Sequence, residues 1–376
     1  MKYFLIVSII LLCSFSNPQK KAENKLFTIP LGENMSNKKE IGLKDVAKNI
    51  EYVKLEYKPE FAIGSIRKFI ATEKYFFVAT DEVYQFLRSG EFVRKIGKQG
   101  RGPAEYPVVV DLTIDESNQK IYILPAVIKQ ILVFDFNGKI LNTIQLPDRN
   151  TESFDAINKG AIAVQSGMNM NTTLSTEIIN EQGKSILQFN SRIFSKIDPS
   201  LVGKMPNVVY QYNNDFFVKE CKNDTVYKMT NTGLIPYFIY NLGKYKPPII
   251  CSDLEWPKYD IIYRILETDS HVFTFFIYNN SGCIARYNKV TKEVNVSIPS
   301  NDPEIGIKND FDYGANFFLA LRPQAYKTSQ KEWILPLYSN SLSKFKGNTK
   351  ITGNFKTVIN QLDENDNPVI MVIKLK

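Results

Sequence analysis

Residues 131–146 read ILVFDFNGKILNTIQL and contain two apolar segments around an Asn-Gly pair at 137–138. Asn-Gly between two apolar strands is the strongest short-range signal of a β-hairpin, because both residues tolerate a positive φ. Just before this hairpin, segments 109–114 and 121–124 are again apolar and are separated by the polar turn 115–120. The stretch from 109 to 146 therefore predicts one antiparallel unit of four strands.

The same pattern of strand, turn and strand recurs along the chain. Further copies lie at 83–97, 176–190, 226–243 and 284–298. The turn glycines, which are 48, 45 and 50 residues apart, are Gly90, Gly138, Gly183 and Gly233. A strand-rich repeat of about 40–50 residues is typical of propeller blades. We therefore predict an all-β fold, a six-bladed β-propeller.

Two segments outside the repeat predict how the ring closes. Segment 51–56 (EYVKLE) alternates like a strand but precedes every blade, whereas the last blade lacks one strand. Pairing this N-terminal strand with the C-terminal blade, at 369–374, closes the propeller and removes two exposed edges. Few strand signals lie in 339–362, where we expect an inserted helix. We assign 49–376 to the propeller and the polar segment 17–48 to a tether.

The N-terminus predicts export. Lys2 precedes an apolar run at 4–12 that is too short to span a membrane, which is typical of a signal peptide over residues 1–16. Ser14 and Ser16 provide a small-x-small cleavage pattern. The alternative is a lipid on Cys13, although Leu12 stands where a lipoprotein signal normally carries a small residue. We expect the protein in the periplasm or outer membrane, with any membrane contact limited to an N-terminal lipid anchor.

Charge and cysteine content bear on the class of function. The chain has 47 Lys and Arg against 39 Asp and Glu, and the basic residues are scattered. A nucleic-acid site would cluster them on one face, so we predict no nucleic-acid partner. Beyond the signal, Cys221, Cys251 and Cys283 are odd in number and lack metal-ligand spacing. We expect them to be buried apolar residues rather than a disulfide framework.

Segment 97–106 (GKQGRGPAEY) is the main candidate for a binding loop. Its glycines expose backbone N–H groups, and its charged side chains beside a tyrosine suit an anion or a sugar. The alternative is a connector between blades in which Glu105 pairs with Arg101, the more frequent outcome for exposed charges. A second candidate is the Pro-containing connection 246–256. The ligand-binding residues predicted from both segments are Lys98, Arg101, Glu105, Tyr106 and Trp256.

No residue set predicts a catalytic site. His271 is the only histidine, which excludes multi-histidine zinc and copper centres, and the G-x-S-x-G motif is absent. Calcium held by oxygen ligands at the central channel is the one cofactor left open, and acids near the starts of blades are Asp111, Asp155 and Asp253.

Aromatic residues are concentrated in blades four and five. They predict either ordinary strand packing or a stacking surface for a sugar or a peptide. The residues are Tyr210, Tyr212, Tyr237, Tyr240, Tyr245, Trp256 and Tyr259.

Two segments carry a family resemblance that covers residues 50–376. Residues 96–106 (IGKQGRGPAEY) and 364–376 (ENDNPVIMVIKLK) resemble the end of the first blade and the C-terminus of six-bladed β-propeller proteins common in Bacteroides-type bacteria. Those proteins are exported, often lipid-anchored, and similar in architecture to NHL-repeat propellers. The resemblance implies a fold and a compartment, and it supplies no catalytic residues.

Together these patterns predict an exported binding or scaffold module of the cell envelope, with a carbohydrate, peptide or protein as its partner. The alternative is an enzyme of the NHL-like type, a calcium-dependent hydrolase or lyase that acts at the channel mouth. A bound metal ion would distinguish the two.

Overall fold

The structure, a computed structural model, describes most of the chain. The described residues are 26–102, 105–146, 151–157, 160–166, 174–190, 208–213, 215–220, 223–230, 233–248, 255, 258–297, 306–318, 326–327 and 331–376. The signal segment with Cys13 lies outside them, as do Cys221, Cys251, Asp253 and Trp256. What the sequence predicts for these residues therefore stays a prediction.

Strands dominate the described residues. In chain order they are β1 (Phe27–Ile29), β2 (Ala47–Lys54), β3 (Lys68–Ala71), β4 (Tyr75–Ala79), β5 (Val83–Leu87), β6 (Phe92–Ile96), β7 (Lys98–Gln99), β8 (Glu105–Tyr106), β9 (Val109–Asp115), β10 (Lys120–Pro125), β11 (Gln130–Asp135), β12 (Ile140–Gln145), β13 (Thr151–Ile157), β14 (Ala161–Ser166), β15 (Leu174–Asn180), β16 (Ser185–Asn190), β17 (Val208–Tyr212), β18 (Asp215–Lys219), β19 (Thr225–Thr230), β20 (Gly233–Tyr240), β21 (Ile261–Glu267), β22 (His271–Tyr278), β23 (Ser281–Asn288), β24 (Val294–Val296), β25 (Gly306–Ile307), β26 (Phe317–Phe318), β27 (Tyr326–Lys327), β28 (Glu332–Leu337) and β29 (Val369–Leu375).

The helices of the described chain are short. They are α1 (Ser339–Leu342) and α2 (Gly353–Asn360), with 3₁₀ turns at Gly32–Asn34, Leu43–Asp45, Pro59–Phe61, Gly243–Tyr245 and Ser343–Phe345. Within the described ranges, no helix is long and apolar enough to cross a membrane. Both α-helices fall in 339–362, where the sequence predicts an inserted helix, and the helix prediction is confirmed.

The strands form six blades, which confirms the six-bladed β-propeller. Five blades are four-stranded antiparallel arrays, namely β3–β6, β9–β12, β13–β16, β17–β20 and β21–β24, and the sixth contains β28, β29 and β2. Side chains of one strand face both neighbouring blades, because successive residues point to opposite faces. In β22, Val272 and Phe276 pack toward blade four, whereas Phe273 contacts Trp333 of blade six.

The ring closes through its N-terminal strand, as the sequence predicts. β2 pairs antiparallel with β29, so that Tyr52 lies opposite Met371 and Val53 opposite Ile370. The ammonium of Lys374 lies 2.7 Å from the carboxylate of Glu51 across the same pair. The strand begins at Ala47 and is therefore longer at its start than the predicted segment 51–56.

The chain before β2 differs from the predicted tether wherever the structure describes it. β1 pairs parallel with β20 at the outer edge of blade four, Lys38 bridges to Val296 of blade five, and Gly42 bridges to Lys308. Its apolar side chains enter the core; Leu31 and Leu43 are fully buried. We call residues 26–46 the belt. Residues 17–25 of the predicted tether lie outside the described chain.

Each four-stranded blade has two distinct ends. Because its strands alternate in direction, the turns after its first and third strands lie at one end, here called the turn end. The turn after its second strand and the connection to the next blade lie at the other, the connector end. Thus β21 begins near Asp260 at the connector end and finishes with Glu267 at the turn end.

Candidate functional site

A cleft of about 320 Å³ lies between blades four and five and opens toward the turn end. Its lining residues come from both blades and from the belt: Phe27, Tyr212, Asn213, Asp215, Phe217, Tyr237, Asp269, Tyr287, Lys289 and Lys292. The structure thus brings two of the sequence-predicted tyrosines, Tyr212 and Tyr237, into one site. It adds charged residues of three turns, which the sequence did not single out.

A buried carboxylate organises one wall of the cleft. The side chain of Glu267 is completely buried and lies 2.7 Å from the ammonium of Lys289. It also accepts hydrogen bonds from the hydroxyl groups of Tyr210, at 2.8 Å, and Tyr237, at 2.7 Å. Burial, and then the charge of Glu267, raises the pKa of both tyrosines, so they stay neutral donors. These contacts fix the ring of Tyr237 in place.

Charged residues form the rim. The hydroxyl of Tyr212 donates to the carboxylate of Asp269 at 2.9 Å, and the ammonium of Lys289 lies 4.1 Å from the centre of the Tyr212 ring. Lys289 also donates to the carbonyl oxygen of Thr268 at 2.6 Å. Asp215 is paired with Lys228 of blade four. Asp215, Asp269 and Lys289 therefore all have partners within the protein.

The floor of the cleft is aromatic. The belt places Phe27 against Tyr287, with nearly parallel rings 5.7 Å apart, and against Phe238 at 5.1 Å. Phe217 and Tyr237 meet at 4.5 Å. This packing is tight, and most of these rings are buried. The belt is thus a structural part of the site.

The other predicted tyrosines have different places. Tyr210 lies beneath the cleft, and Tyr240 is buried, with its hydroxyl 2.7 Å from that of Thr274. Tyr245 and Tyr259 are half-buried at the connector end, away from the cleft lining. Ordinary strand packing therefore accounts for Tyr210 and Tyr240, whereas Tyr212 and Tyr237 line the cleft.

The loop 97–106 lies at the connector end, opposite the opening of the cleft. The carboxylate of Glu105 accepts a hydrogen bond from the backbone N–H of Gly102 at 2.9 Å and lies 3.4 Å from the ammonium of Lys98. The partner of Glu105 is thus Lys98, where the sequence suggested Arg101. Arg101 is exposed.

Tyr106 corrects one sequence expectation. Its ring is completely buried, and its hydroxyl donates to the carbonyl oxygen of Ile96 at 2.6 Å. Gly97, at φ +69°, leaves room for this ring, because a Cβ there would lie 2.8 Å from it. Tyr106 therefore offers no stacking face to a ligand, and the glycine serves close packing.

The family described as domain of unknown function DUF4934 matches residues 26–374 of the sequence. The chain belongs to the DUF4934 family. This match includes the belt and every blade, so the belt is part of the family's domain.

Solved structures share the fold of this DUF4934 chain. A Bacteroides fragilis protein named as exported superimposes with a TM-score of 0.69 at 16% identity, over 93% of this chain and 99% of that one. A member of the DUF4221 family from Bacteroides vulgatus superimposes with a TM-score of 0.52 at 12% identity, over 88% and 98% of the two chains. No protein of curated function matches the sequence.

Acidic residues considered for a metal have other partners in this DUF4934 structure. Asp111 is buried, lies 3.0 Å from the ammonium of Lys68 and accepts a hydrogen bond from the backbone N–H of Phe154. Asp155 accepts one from the hydroxyl of Thr113 at 2.6 Å. Among the described residues, no group of three or more His, Cys, Asp or Glu side chains is arranged to hold a metal ion.

His271 and Cys283 both lie within blade five of the DUF4934 fold. The ring of His271 contacts the hydroxyl of Ser270 at 2.8 Å, and burial lowers the pKa of the ring. Cys283 is a buried free thiol, as the sequence suggests for it, and burial raises its pKa to about 11. A thiol with this pKa stays protonated and is a poor nucleophile near neutral pH.

Proposed function

We propose that this DUF4934 chain is an exported β-propeller that binds a small ligand at the cell envelope, in the cleft between blades four and five. The observation that carries the proposal is the preorganised wall of the cleft. Buried Glu267 holds Tyr210, Tyr237 and Lys289 at hydrogen-bond distance, so the ligand meets groups that are already ordered. Preorganisation of this kind raises affinity, because less side-chain freedom is lost on binding.

The cleft has the general character of a small-molecule site. Such sites are concave, have apolar and aromatic floors, and carry a few placed polar groups. Here the floor includes Phe27 and Phe217, and the polar groups are those of Asp215, Asp269 and Lys292. In addition, the ammonium of Lys289 already has Glu267 and Thr268 as partners. Because these partners hold the ammonium of Lys289, we assign this residue to ligand binding and not to nucleophilic catalysis.

Export is supported by the N-terminal sequence. Lys2 and the apolar run at 4–12 have the form of a signal peptide, and a protein of the same fold is named as exported. We expect the mature protein in the periplasm or outer membrane, either cleaved after Ser16 or carrying a lipid on Cys13. Mass spectrometry of the native protein decides between these forms, and an intact Met1 would contradict both.

Ligand binding is tested on the full mature chain with its matched variants. Thermal shift and calorimetry against sugars, amino acids and short peptides should identify at least one ligand that raises the melting temperature. We expect Tyr212→Ala to lose that ligand and Arg101→Ala, at the opposite end, to keep it. If Arg101→Ala loses the ligand and Tyr212→Ala keeps it, the site is the connector-end loop. If no member of the three classes binds, the proposal fails.

A further inference from the structure

The side chains that line the cleft carry no net charge. Asp215 and Asp269 balance Lys289 and Lys292 at neutral pH. The partners just outside the lining balance as well, because Glu267 is paired with Lys289 and Lys228 with Asp215. A cleft without excess charge has no electrostatic preference for an anion or a cation.

The individual charges also have partners within the protein. Lys289 is held by Glu267, and Lys292 donates to the carbonyl oxygen of residue 289 at 2.5 Å. Among the described residues, Asp269 accepts one side-chain hydrogen bond, from the hydroxyl of Tyr212. A carboxylate has about four acceptor positions, so the rim acids can accept further hydrogen bonds without giving up their partners. Neutral hydroxyl groups are suitable donors for those positions.

A peptide bound as an added strand does not fit the same place. The outer edge of blade four is already paired with β1, where Phe27 lies opposite Phe238. The outer strand of blade five is bridged by the belt at Lys38 and Val296. Strand addition needs an open edge with free backbone groups. In the described part of both blades, the belt covers the edges nearest to the cleft.

The size of the cleft limits the ligand. Small-molecule sites span about 300–1,000 Å³, and this cleft, at about 320 Å³, lies near the lower bound. One or two sugar rings are of that size. A sugar also has the required chemistry, since it combines apolar C–H groups for an aromatic floor with hydroxyl groups for a polar rim.

We propose that the cleft binds a neutral carbohydrate, as a single ring or the end of a chain. The aromatic floor around Phe27 and Tyr237 takes the C–H groups of the sugar. Asp215 and Asp269 accept hydrogen bonds from its hydroxyl groups, and Lys292 donates one to a ring or hydroxyl oxygen. This inference rests on the proposed ligand-binding function and names its ligand class.

The test is calorimetry of the full mature chain with three classes of probe at millimolar concentration. The neutral probes are methyl glucoside, methyl galactoside, methyl mannoside, N-acetylglucosamine and their short oligomers. The charged probes are glucuronate and glucosamine, and the peptide probes are alanyl and tyrosyl dipeptides. We expect at least one neutral sugar to bind, with an affinity that changes little between roughly 50 and 500 mM salt.

Matched variants locate the binding. Asp269→Asn keeps the shape of the rim but weakens a charge-assisted hydrogen bond, so affinity should fall roughly tenfold. Asp81→Asn, which changes an exposed acid at the connector end, should leave affinity unchanged. Circular dichroism checks the folding of both. If Asp269→Asn is misfolded, Lys292→Ala replaces it, because Lys292 is exposed and its loss leaves the floor intact.

Each remaining result overturns the inference. If only glucuronate, glucosamine or a dipeptide binds, and Asp269→Asn weakens it, the ligand class is wrong while the proposed function stands. If a neutral sugar binds equally well to wild type, Asp269→Asn and Lys292→Ala, the sugar does not occupy this cleft. If none of the probes binds, the inference fails, and the proposed function fails with it when the amino acids and short peptides of the first screen do not bind either.

Discussion

A buried acid lies at each end of strand β21, and the two acids differ in their polar partners. At the turn end, Glu267 has two tyrosine hydroxyls and one ammonium as partners. At the connector end, neither carboxylate oxygen of Asp260 has a hydrogen-bond partner in the part of the chain that the structure describes. Polar side chains from several elements converge at the first end and leave a cleft beside it. The proposed site therefore lies beside the acid that has shared polar partners, and not beside the acid that is only buried.

The largest effect is expected from removing the partnered acid. Glu267→Ala leaves the ammonium of Lys289 and two tyrosine hydroxyls without their acceptor, which should lower the free energy of unfolding by about 3–5 kcal/mol. Urea denaturation followed by fluorescence measures it. The control is Glu105→Gln in the connector-end loop, which should not shift the denaturation midpoint measurably. Equal denaturation midpoints for the two variants would contradict the structural role that we assign to Glu267 at the turn end.

Replacing Asp260 should raise the free energy of unfolding, whereas replacing Glu267 lowers it. Burial raises the pKa of this carboxyl from 3.8 to about 7, so the folded protein holds the proton more tightly than the unfolded chain. The contribution of Asp260 to stability is then most favourable below about pH 4 and decreases as the pH rises toward 7. Asp260→Asn removes this cost and should stabilise the protein by up to roughly 4 kcal/mol at pH 8. The gain should vanish at pH 4, as checked by denaturation at both pH values. Parallel pH profiles for wild type and variant would contradict the prediction.

Two tyrosines sharpen the comparison further. Tyr106→Phe at the connector end removes a buried hydroxyl that donates to Ile96 and accepts from the N–H of Val83, so stability should fall by about 1–3 kcal/mol. Affinity for the cleft ligand should not change. Tyr212→Phe, which loses its bond to Asp269, should instead reduce affinity more than stability. The assignment of the ends is wrong if Tyr106→Phe lowers affinity and Tyr212→Phe does not.

The smallest effect is expected in the exposed loop. Arg101→Ala and Lys98→Ala alter side chains in solvent, where an ion pair contributes little to stability and is screened by salt. Neither variant should change the melting temperature or the affinity for the cleft ligand. If either variant lost affinity for the ligand, the binding site would lie in the loop 97–106 and not in the cleft.

The blades could be predicted because their information is local. In blade two, the Asn-Gly pair at 137–138 fixes a hairpin, and the predicted strands agree closely with β9 to β12. Closure of the ring through β2 could be predicted because segment 51–56 belonged to no blade and the last blade lacked one strand. The belt could not be predicted, because its buried residues, such as Leu31 and Leu43, have no strand or helix period. Each packs into a hydrophobic cluster whose other members come from distant parts of the sequence.

The site was only partly visible in the sequence. The tyrosines of blades four and five were singled out, but their acidic partners were not. Tyr210 and Glu267 are 57 residues apart, as are Tyr212 and Asp269. No pattern within one repeat connects them, since neighbouring blades bring them together. The loop 97–106, by contrast, is easy to recognise in the sequence because its glycines and charged residues are adjacent. In the structure these groups bind one another, since Glu105 accepts a hydrogen bond from Gly102 and pairs with Lys98.

The path of the belt has a mechanical consequence. From its N-terminal side it meets blade four through β1, then blade five at Lys38, then Lys308 beside blade six, and only then enters the ring as β2. A force applied to the chain at its N-terminal side acts first on the pairing of β1 with β20. Phe27 would leave the cleft floor while β2 and β29 still hold the ring closed. Tension applied from the N-terminal side would therefore disturb the cleft floor before it opened the ring.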